Sequence, residues 1–402
     1  MDTSQSKKYA FVLGRERDLC LAELRATLSR FGFCFGDFIL SDNVALFNLD
    51  KNPAELIDIL GGTTKIYEIV ETQKDIRSQI KDLIILRSEK TTGKFNFGFS
   101  AYGRHRADSL NPLGLNIKKD LKSQLSLRFI ALKDKELSTI VSSKNKLADE
   151  GLEVGFFNDE IGILIAVTDP EAWSERDYGK PRGDKFSGMV PPKLARIMIN
   201  LVLGETKNQN SNTLIIDPFC GSGNILLEAI MLGCDVFGSD VSEKAISDSK
   251  ENVEWLLKVH STQPAVHRNY KIVQADATTS KFTEYCELST ENHNGFVIVC
   301  EPYLGEPKKY LSSIRSIRGE YEKVRELYLD FLRNVSSLSS QDSGLVICLV
   351  FPLVETVEKT KFSLYAESVD EIKKIGYTEL AKPLVYGRDY QVVKREIALL
   401  KL

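Results

Sequence analysis

The sequence predicts an α/β protein: a doubly wound, mostly parallel sheet in the C-terminal half, preceded by two small α+β modules. Three observations carry that prediction. From Lys193 onward, short apolar runs alternate with amphipathic stretches, as in "TLIID", "NILLEAIMLG", "DVFGSD" and "KAISDSKENVEWLLK". Strands apolar on both faces and separated by helices belong to a parallel sheet wound by right-handed crossovers. The chain then ends in "AKPLVYGRDYQVVKREIALLKL", two β-rich runs with no helix between them, which predicts a closing antiparallel hairpin. Upstream of about residue 168, strands and helices mix less regularly and cationic residues crowd together.

Element by element, "KYAFVLG" at 8–14 predicts a strand. "ERDLCLAELRATLSRFG" at 16–32 predicts a helix, with apolar residues at 19, 21, 24, 28 and 31 and Gly32 as its C-cap. "VALFNLD" at 44–50 predicts a strand and "NPAELIDILGG" at 52–62 a second helix capped by Asn52. A helix over 75–90, a strand over 94–103, a helix over 116–129, a strand over 137–142 and a hairpin over 152–168 turning at Asn158-Asp159 complete the N-terminal half. Residues 169–192 hold four prolines and three glycines without a period and read as an ordered linker. The expected domains are therefore 1–65, 66–170, a linker at 171–190, and 191–402.

The bulk numbers restrict the function class. At 402 residues, 43% hydrophobic and 27% charged, the chain has the composition of an ordinary globular protein of two or three domains. Its seven cysteines are odd in number, never spaced CxxC and far from any histidine cluster, so neither a disulfide framework nor a zinc site is encoded. No apolar signal core opens the chain, and "LVICLVFPLV" at 345–354 is about half the length of a membrane span. A cytoplasmic location without membrane contact is expected. The net charge of −3 is unevenly spread: Lys74 to Lys146 carries 16 Lys and Arg against 7 Asp and Glu, a local +9 that leaves −12 on the rest. Such a segment is the footprint of a module that tracks a phosphate backbone, with a solvated lysine face as the alternative.

The stretch "LIIDPFCGSGNILLEAI" at 214–230 carries the most chemistry. A strand ends in Asp217, and a turn leads to Gly221 and Gly223 before a helix starts at Asn224, so the backbone can pass close to a ligand over the strand end. A dinucleotide site wants a third glycine where Leu226 stands. An acid before the first glycine instead suits a ligand carrying an ammonium group, with the loop amides facing its carboxylate: the methionine end of S-adenosylmethionine. Asp240, ending the next strand, suits ribose hydroxyls, and Asp276 in "QADAT" suits the adenine amine; singly, each acid would be a helix cap more often than a ligand. The candidate cofactor set is Asp217, Pro218, Cys220, Gly221, Ser222, Gly223, Asn224, Asp240, Val241, Asp276 and Ala277. Cys220 reads as a small loop residue rather than a nucleophile, since no histidine or lysine is near it in sequence.

A second signal is "VIVCEPYLG" at 297–305, a buried strand that ends in an acid, a proline and an aromatic. With "DPFCGSGNILLEA" upstream, it resembles the amino-methyltransferases that carry a D/N-P-P-Y/F motif after strand four. "GMVPPKLARIMINL" at 188–201 is similar to the segment before the catalytic domain of the THUMP-containing tRNA (guanine-N2)-methyltransferases, which act on guanosine at tRNA position 10. The resemblance continues through "LGGTTKI" at 60–66, "FGFSAYG" at 97–103, "VSSKNKL" at 141–147 and "RDYGKPRGDKFSGM" at 176–189, and so covers nearly the whole chain. It implies a class I, Rossmann-like methyltransferase domain behind ferredoxin-like and THUMP-like modules, S-adenosylmethionine as cofactor, no metal, and tRNA gripped by the basic 74–146 region. It also implies that Glu301 accepts a hydrogen bond from the amine, that the backbone at Pro302 supplies a carbonyl, and that Tyr303 stacks on the base. The match has two registers: Glu301 at the acid puts Tyr303 at the second proline, whereas Pro302-Tyr303 as the Pro-aromatic pair puts Cys300 at the acid. Ribosomal RNA or DNA amino-methylation, a non-catalytic RNA-binding protein and a dehydrogenase are the alternatives. Arg176, Asp177, Arg182 and Lys193 are expected to contact RNA or cap the following helix, and Tyr386, Arg388 and Tyr390 to border the base pocket.

Overall fold

A computed structural model describes residues 6–71, 75–89, 91, 93–183, 189–206, 213–261, 269–280, 295–337 and 344–402. The chain divides into two compact units. One comprises residues up to Leu24 with Gly32–Ser174, the other Arg25–Phe31 with Glu175–Leu402.

The first unit holds β1 (Lys7–Leu13), the part of α1 (Arg17–Arg30) up to Leu24, β2 (Ile39–Ser41), β3 (Val44–Leu49), β4 (Thr63–Val70), α2 (Ile76–Ser88), β5 (Phe95–Tyr102), α3 (Ala107–Asp120), β6 (Leu127–Ile130), α4 (Thr139–Lys144), β7 (Leu152–Phe157), β8 (Glu160–Val167) and α5 (Pro170–Ser174). All eight strands join one sheet in the order β2-β3-β1-β4-β8-β7-β5-β6. β4 crosses residue 65, so strands on both sides of that position share the sheet. At its centre Glu153 accepts hydrogen bonds from Lys65 and Tyr67 (2.6 and 2.7 Å) and from Ser100 (2.6 Å), all buried. A buried carboxylate is tolerated when donors of this number surround it.

Three expected elements differ here. The helix expected at 116–129 starts at Ala107 and ends at Asp120, with Pro112 inside it. Gly114 lets the helix pack there: a side chain at that position would stand 2.2 Å from the Phe129 ring, so the bare backbone is what lets α3 press onto β6. Asn111 clips the helix further by bonding both the N–H and the carbonyl of Leu132. The strand expected over 137–142 is helix α4, because Ser138 caps it through the Val141 N–H and β-branched alternation over six residues is a weak signal. The helix expected at 52–62 contracts to a 3₁₀ turn, Ala54–Asp58. The following Gly61 and Gly62 N–H groups donate instead to the buried Glu23 carboxylate of α1 (2.8 and 2.7 Å).

The second unit holds α6 (Pro192–Glu205), β9 (Leu214–Asp217), α7 (Asn224–Met231), β10 (Val236–Asp240), α8 (Glu243–Val259), β11 (Tyr270–Gln274), β12 (Phe296–Cys300), α9 (Ile314–Ser336), β13 (Val346–Glu355), β14 (Lys361–Ser363), α10 (Leu364–Ile375), β15 (Thr378–Tyr386) and β16 (Val393–Lys401). The sheet order is β11-β10-β9-β12-β13-β16-β15, with β14 paired to β13 off that path. β11, β10, β9, β12 and β13 are parallel, whereas β16 runs antiparallel to both β13 and β15. This is the doubly wound sheet with a closing hairpin that the sequence predicts. The strand order reverses between β9 and β12, and in such sheets ligands bind at the carboxyl ends beside that reversal. The residues singled out at 217–224 and 301–303 stand on its two sides.

Candidate functional site

The loop after β9 is shaped by two left-handed glycines, Gly221 (φ +52°) and Gly223 (φ +89°). A Cβ on Gly221 would meet nothing within 4 Å, whereas one on Gly223 would stand 2.5 Å from Ser249 Oγ. Gly221 therefore faces open space while Gly223 is pressed against α8. The Gly221 N–H donates to Asp240 (3.0 Å), the Cys220 N–H to the Ser239 carbonyl (2.9 Å), and the Ser222 carbonyl accepts from Asn252 of α8 (2.8 Å). The first turn of α7 receives no side-chain cap, so its backbone donors aim at whatever occupies that space.

Asp217 is 1% exposed, and its carboxyl is held well above the usual carboxylate range. Burial is the main cause and the nearby Asp240 and Glu301 add to it, against the Phe219 N–H that donates to Asp217 at 3.1 Å. Among the described residues no lysine or arginine forms an ion pair with it. A buried carboxylate facing two others and lacking a counter-cation fits a ligand that brings its own positive charge. Asp240 gives one oxygen to Gly221 and the other to the Ser242 N–H (2.9 Å), and the α8 cap itself is Ser242. Val241 beside it is exposed. Asp276 is exposed and accepts from the N–H and hydroxyl of Thr278 (2.8 and 2.7 Å); Ala277 is buried, its carbonyl bonded to Asn334 (2.9 Å). Pro218 lies between Asp217 and the loop. The amide of Asn224 is occupied by the Val190 carbonyl (2.7 Å) and by Lys180, and Ser222 Oγ lies 3.0 Å from Met189 Sδ. Burial pushes the Cys220 thiol well up, helped by Asp217 and Asp240, which suits packing and not nucleophilic attack.

Across the strand reversal, β12 delivers Glu301, Pro302 and Tyr303. Pro302 is buried, and Tyr303 is half-exposed with its hydroxyl donating to Glu306 (2.8 Å). Gly305 (φ +89°) packs under Tyr321, whose hydroxyl donates to the Leu304 carbonyl (3.0 Å). Both Glu301 oxygens are gripped by Arg395 of β16, at 2.5 Å to Nε and 3.0 Å to Nη2. Sequence reasoning missed Arg395; its only signal is that it is one of two adjacent cations, with Lys394, near the start of the strand-like run "VVKREIALLKL". It also missed the triad in which Glu228 of α7 takes Arg176 at 2.7 Å and Arg196 at 2.6 Å, all three buried. Arg176 is thereby assigned to packing. Arg182 pairs with Glu251 (2.8 Å), while Arg388 and the exposed Tyr390 hold each other at the hairpin turn.

A family profile described as an RMKL-like methyltransferase domain matches residues 180–360, which take in the glycine loop, all three strand-end acids and the Glu301 turn. The tRNA (guanine(10)-N2)-dimethyltransferase of Methanocaldococcus jannaschii is 36% identical over 186 residues, 46% of this chain and 45% of that protein. The enzyme of the same name from Methanothermobacter thermautotrophicus is 29% identical over 167 residues, 42% and 40% of the two chains. Over these stretches the chain is similar to the tRNA (guanine-N2)-methyltransferases. Its alignments span less than half the length of those curated relatives. A profile described as a DNA methylase also matches, over residues 56–251. Among solved structures, TrmN from Thermus thermophilus superposes with a TM-score of 0.50 at 15% identity, covering 98% of this chain and all of that one, which places the methyltransferase fold.

Proposed function

We propose that the protein is an S-adenosylmethionine-dependent RNA methyltransferase acting on the exocyclic N2 amine of a guanosine in tRNA. The observation that carries this reading is the pairing, across one strand reversal, of a buried and uncompensated carboxylate at a glycine loop with a Glu-Pro-Tyr turn. When bound, the cofactor supplies an activated methyl group on a sulfonium. Asp217 would take its ammonium group, the N–H groups of Ser222 and Asn224 its carboxylate, Asp240 its ribose, and the segment around Val241, Asp276 and Ala277 its base.

The chain's own residues then have an alignment task. The guanine amine is a poor nucleophile because its lone pair is delocalised, so acceptors that orient it and draw positive charge from it raise the rate. Glu301 and the backbone at Pro302 are the acceptors in this reading, and half-exposed Tyr303 is the platform for the base. A base in a stem has to be flipped out, which costs a few kcal/mol. Phosphate contacts from the basic 74–146 segment offset part of that. A cytoplasmic site of action belongs to the same proposal, and among the described residues no helix is long and apolar enough to cross a membrane.

The test is transfer of labelled methyl to unmodified tRNA with nucleoside digestion, wild type beside Glu301→Ala. N2-methylguanosine made by the wild type and lost in the variant supports the reading. Cofactor binding without label in tRNA overturns it. The DNA-methylase match makes amino-methylation of another nucleic acid the second reading, so ribosomal RNA and duplex DNA are assayed in parallel.

A further inference from the structure

We propose that Arg395 is a positioning residue for the methyl-accepting base, acting through a two-pronged grip on Glu301; the inference rests on the function proposed above. Three chain segments meet at its guanidinium. Nε and Nη2 each hold one oxygen of Glu301, at the end of β12, and Nη2 also approaches the Met189 carbonyl, just before α6, at 3.4 Å. Arg395 itself sits in β16, opposite Pro352 of β13 and Tyr386 of β15. The side chains of the pair are 12% and 10% exposed, so water screens them little.

The geometry has a chemical consequence. A carboxylate offers about four lone-pair sites, and the fork takes one on each oxygen while preventing the group from rotating. Glu301 is left with an acceptor on each oxygen, fixed relative to the Pro302 backbone and carrying a charge that the arginine compensates. Lysine supplies the same charge through a single point and lets the carboxylate turn.

Burial raises the Glu301 carboxyl above the usual range, and Arg395 pulls it back. The other titratable groups that feel Glu301 are Asp217 at the end of β9, Cys300 beside it on β12 and Tyr328 on α9, while Tyr386 on β15 acts on Arg395. None of these supplies a cation. Removing the arginine therefore lets burial act unopposed, and Glu301 takes up a proton at higher pH than in the wild type.

The experiment compares wild type, Arg395→Lys, Arg395→Met and Glu301→Gln in the full chain. It reads the pH dependence of methyl transfer, cofactor affinity by calorimetry, and titration of Glu301 in glutamate-labelled protein by carbon NMR, with the signal assigned by its loss in Glu301→Gln. The expected result has four parts. In Arg395→Met the acid limb of the rate profile moves to higher pH and the Glu301 signal titrates higher. In Arg395→Lys the limb stays in place but kcat falls about tenfold or more. Glu301→Gln loses the limb altogether. Cofactor affinity stays within about threefold in all three variants. An unchanged limb and NMR titration in Arg395→Met, or wild-type kcat in Arg395→Lys, overturns the proposal. A wild type that methylates no nucleic acid overturns the function proposed above, while the NMR titration still decides whether Arg395 governs the charge on Glu301.

Discussion

Asp217 shows how burying a single carboxylate costs stability. Its folded-state carboxyl lies above the ordinary range because of burial, so the folded protein holds a proton that the unfolded chain releases. The folded state therefore loses stability as pH rises from the ordinary carboxylate range through the raised value. Asp217→Asn is expected to raise the ligand-free melting temperature at pH 7 by a few degrees and to abolish binding of S-adenosylmethionine, read by calorimetry beside a melting curve. A variant that melts lower and still binds contradicts the assignment. Gly223→Ala tests the loop at the same scale. Its left-handed φ and the 2.5 Å approach to Ser249 predict a loss of about 1–3 kcal/mol in denaturant unfolding, with weaker cofactor binding. Asp217 and both glycines were legible in the sequence because each has a local reason to be where it is. Arg395 was not, because its partner lies 94 positions away.

At the scale of elements, the glycine loop depends on what lies behind it. The π-helical turn Glu175–Gly179 delivers Arg176 to α7, where Glu228 holds it together with Arg196 of α6. Charges this deeply buried are costly to leave uncompensated. Glu228→Gln is expected to destabilise the protein by about 3–5 kcal/mol in chemical denaturation, whereas Ser242→Ala, which removes only the cap of α8, costs about 1 kcal/mol. Near-equal losses would mean that the triad is solvated and only decorates α7. Periodicity found most helices and strands of the second unit because parallel strands buried on both faces write continuous apolar runs. It misplaced α3 and misread α4, where Gly114 and Ser138 act through tertiary and capping interactions that no period records.

For the whole molecule, the basic segment is the feature with the longest reach. Its charge is partly neutralised within the protein: Arg77 and Lys81 face Asp120, Arg104 faces Asp159, Lys144 faces Glu171 and Lys146 faces Glu150. Lys118, Lys119 and Lys122 at the C-terminal end of α3, with Arg128 on β6, are exposed. Replacing the three lysines by glutamate is expected to weaken tRNA binding strongly at low salt. It should also flatten the dependence of log affinity on log salt by about one unit for each phosphate that is no longer neutralised. Cofactor affinity should not change, and a salt slope equal to that of the wild type would move the RNA-binding surface elsewhere.

By itself the sequence determined the class of fold in the second unit, the glycine loop and its acids, and the segment where positive charge concentrates. Each is written in residues close together in the chain: apolar runs of strand length, glycines where the backbone must turn left-handed, acids at strand ends. Only the tertiary structure decided how those parts are held. It joined the strands of the N-terminal half into one sheet around Glu153, turned Gly61 and Gly62 toward Glu23, and assigned Arg176 to Glu228. It also closed both oxygens of Glu301 on Arg395. Such pairings join residues tens of positions apart, and burial makes them strong only once the sheets have brought the partners together and driven the water out.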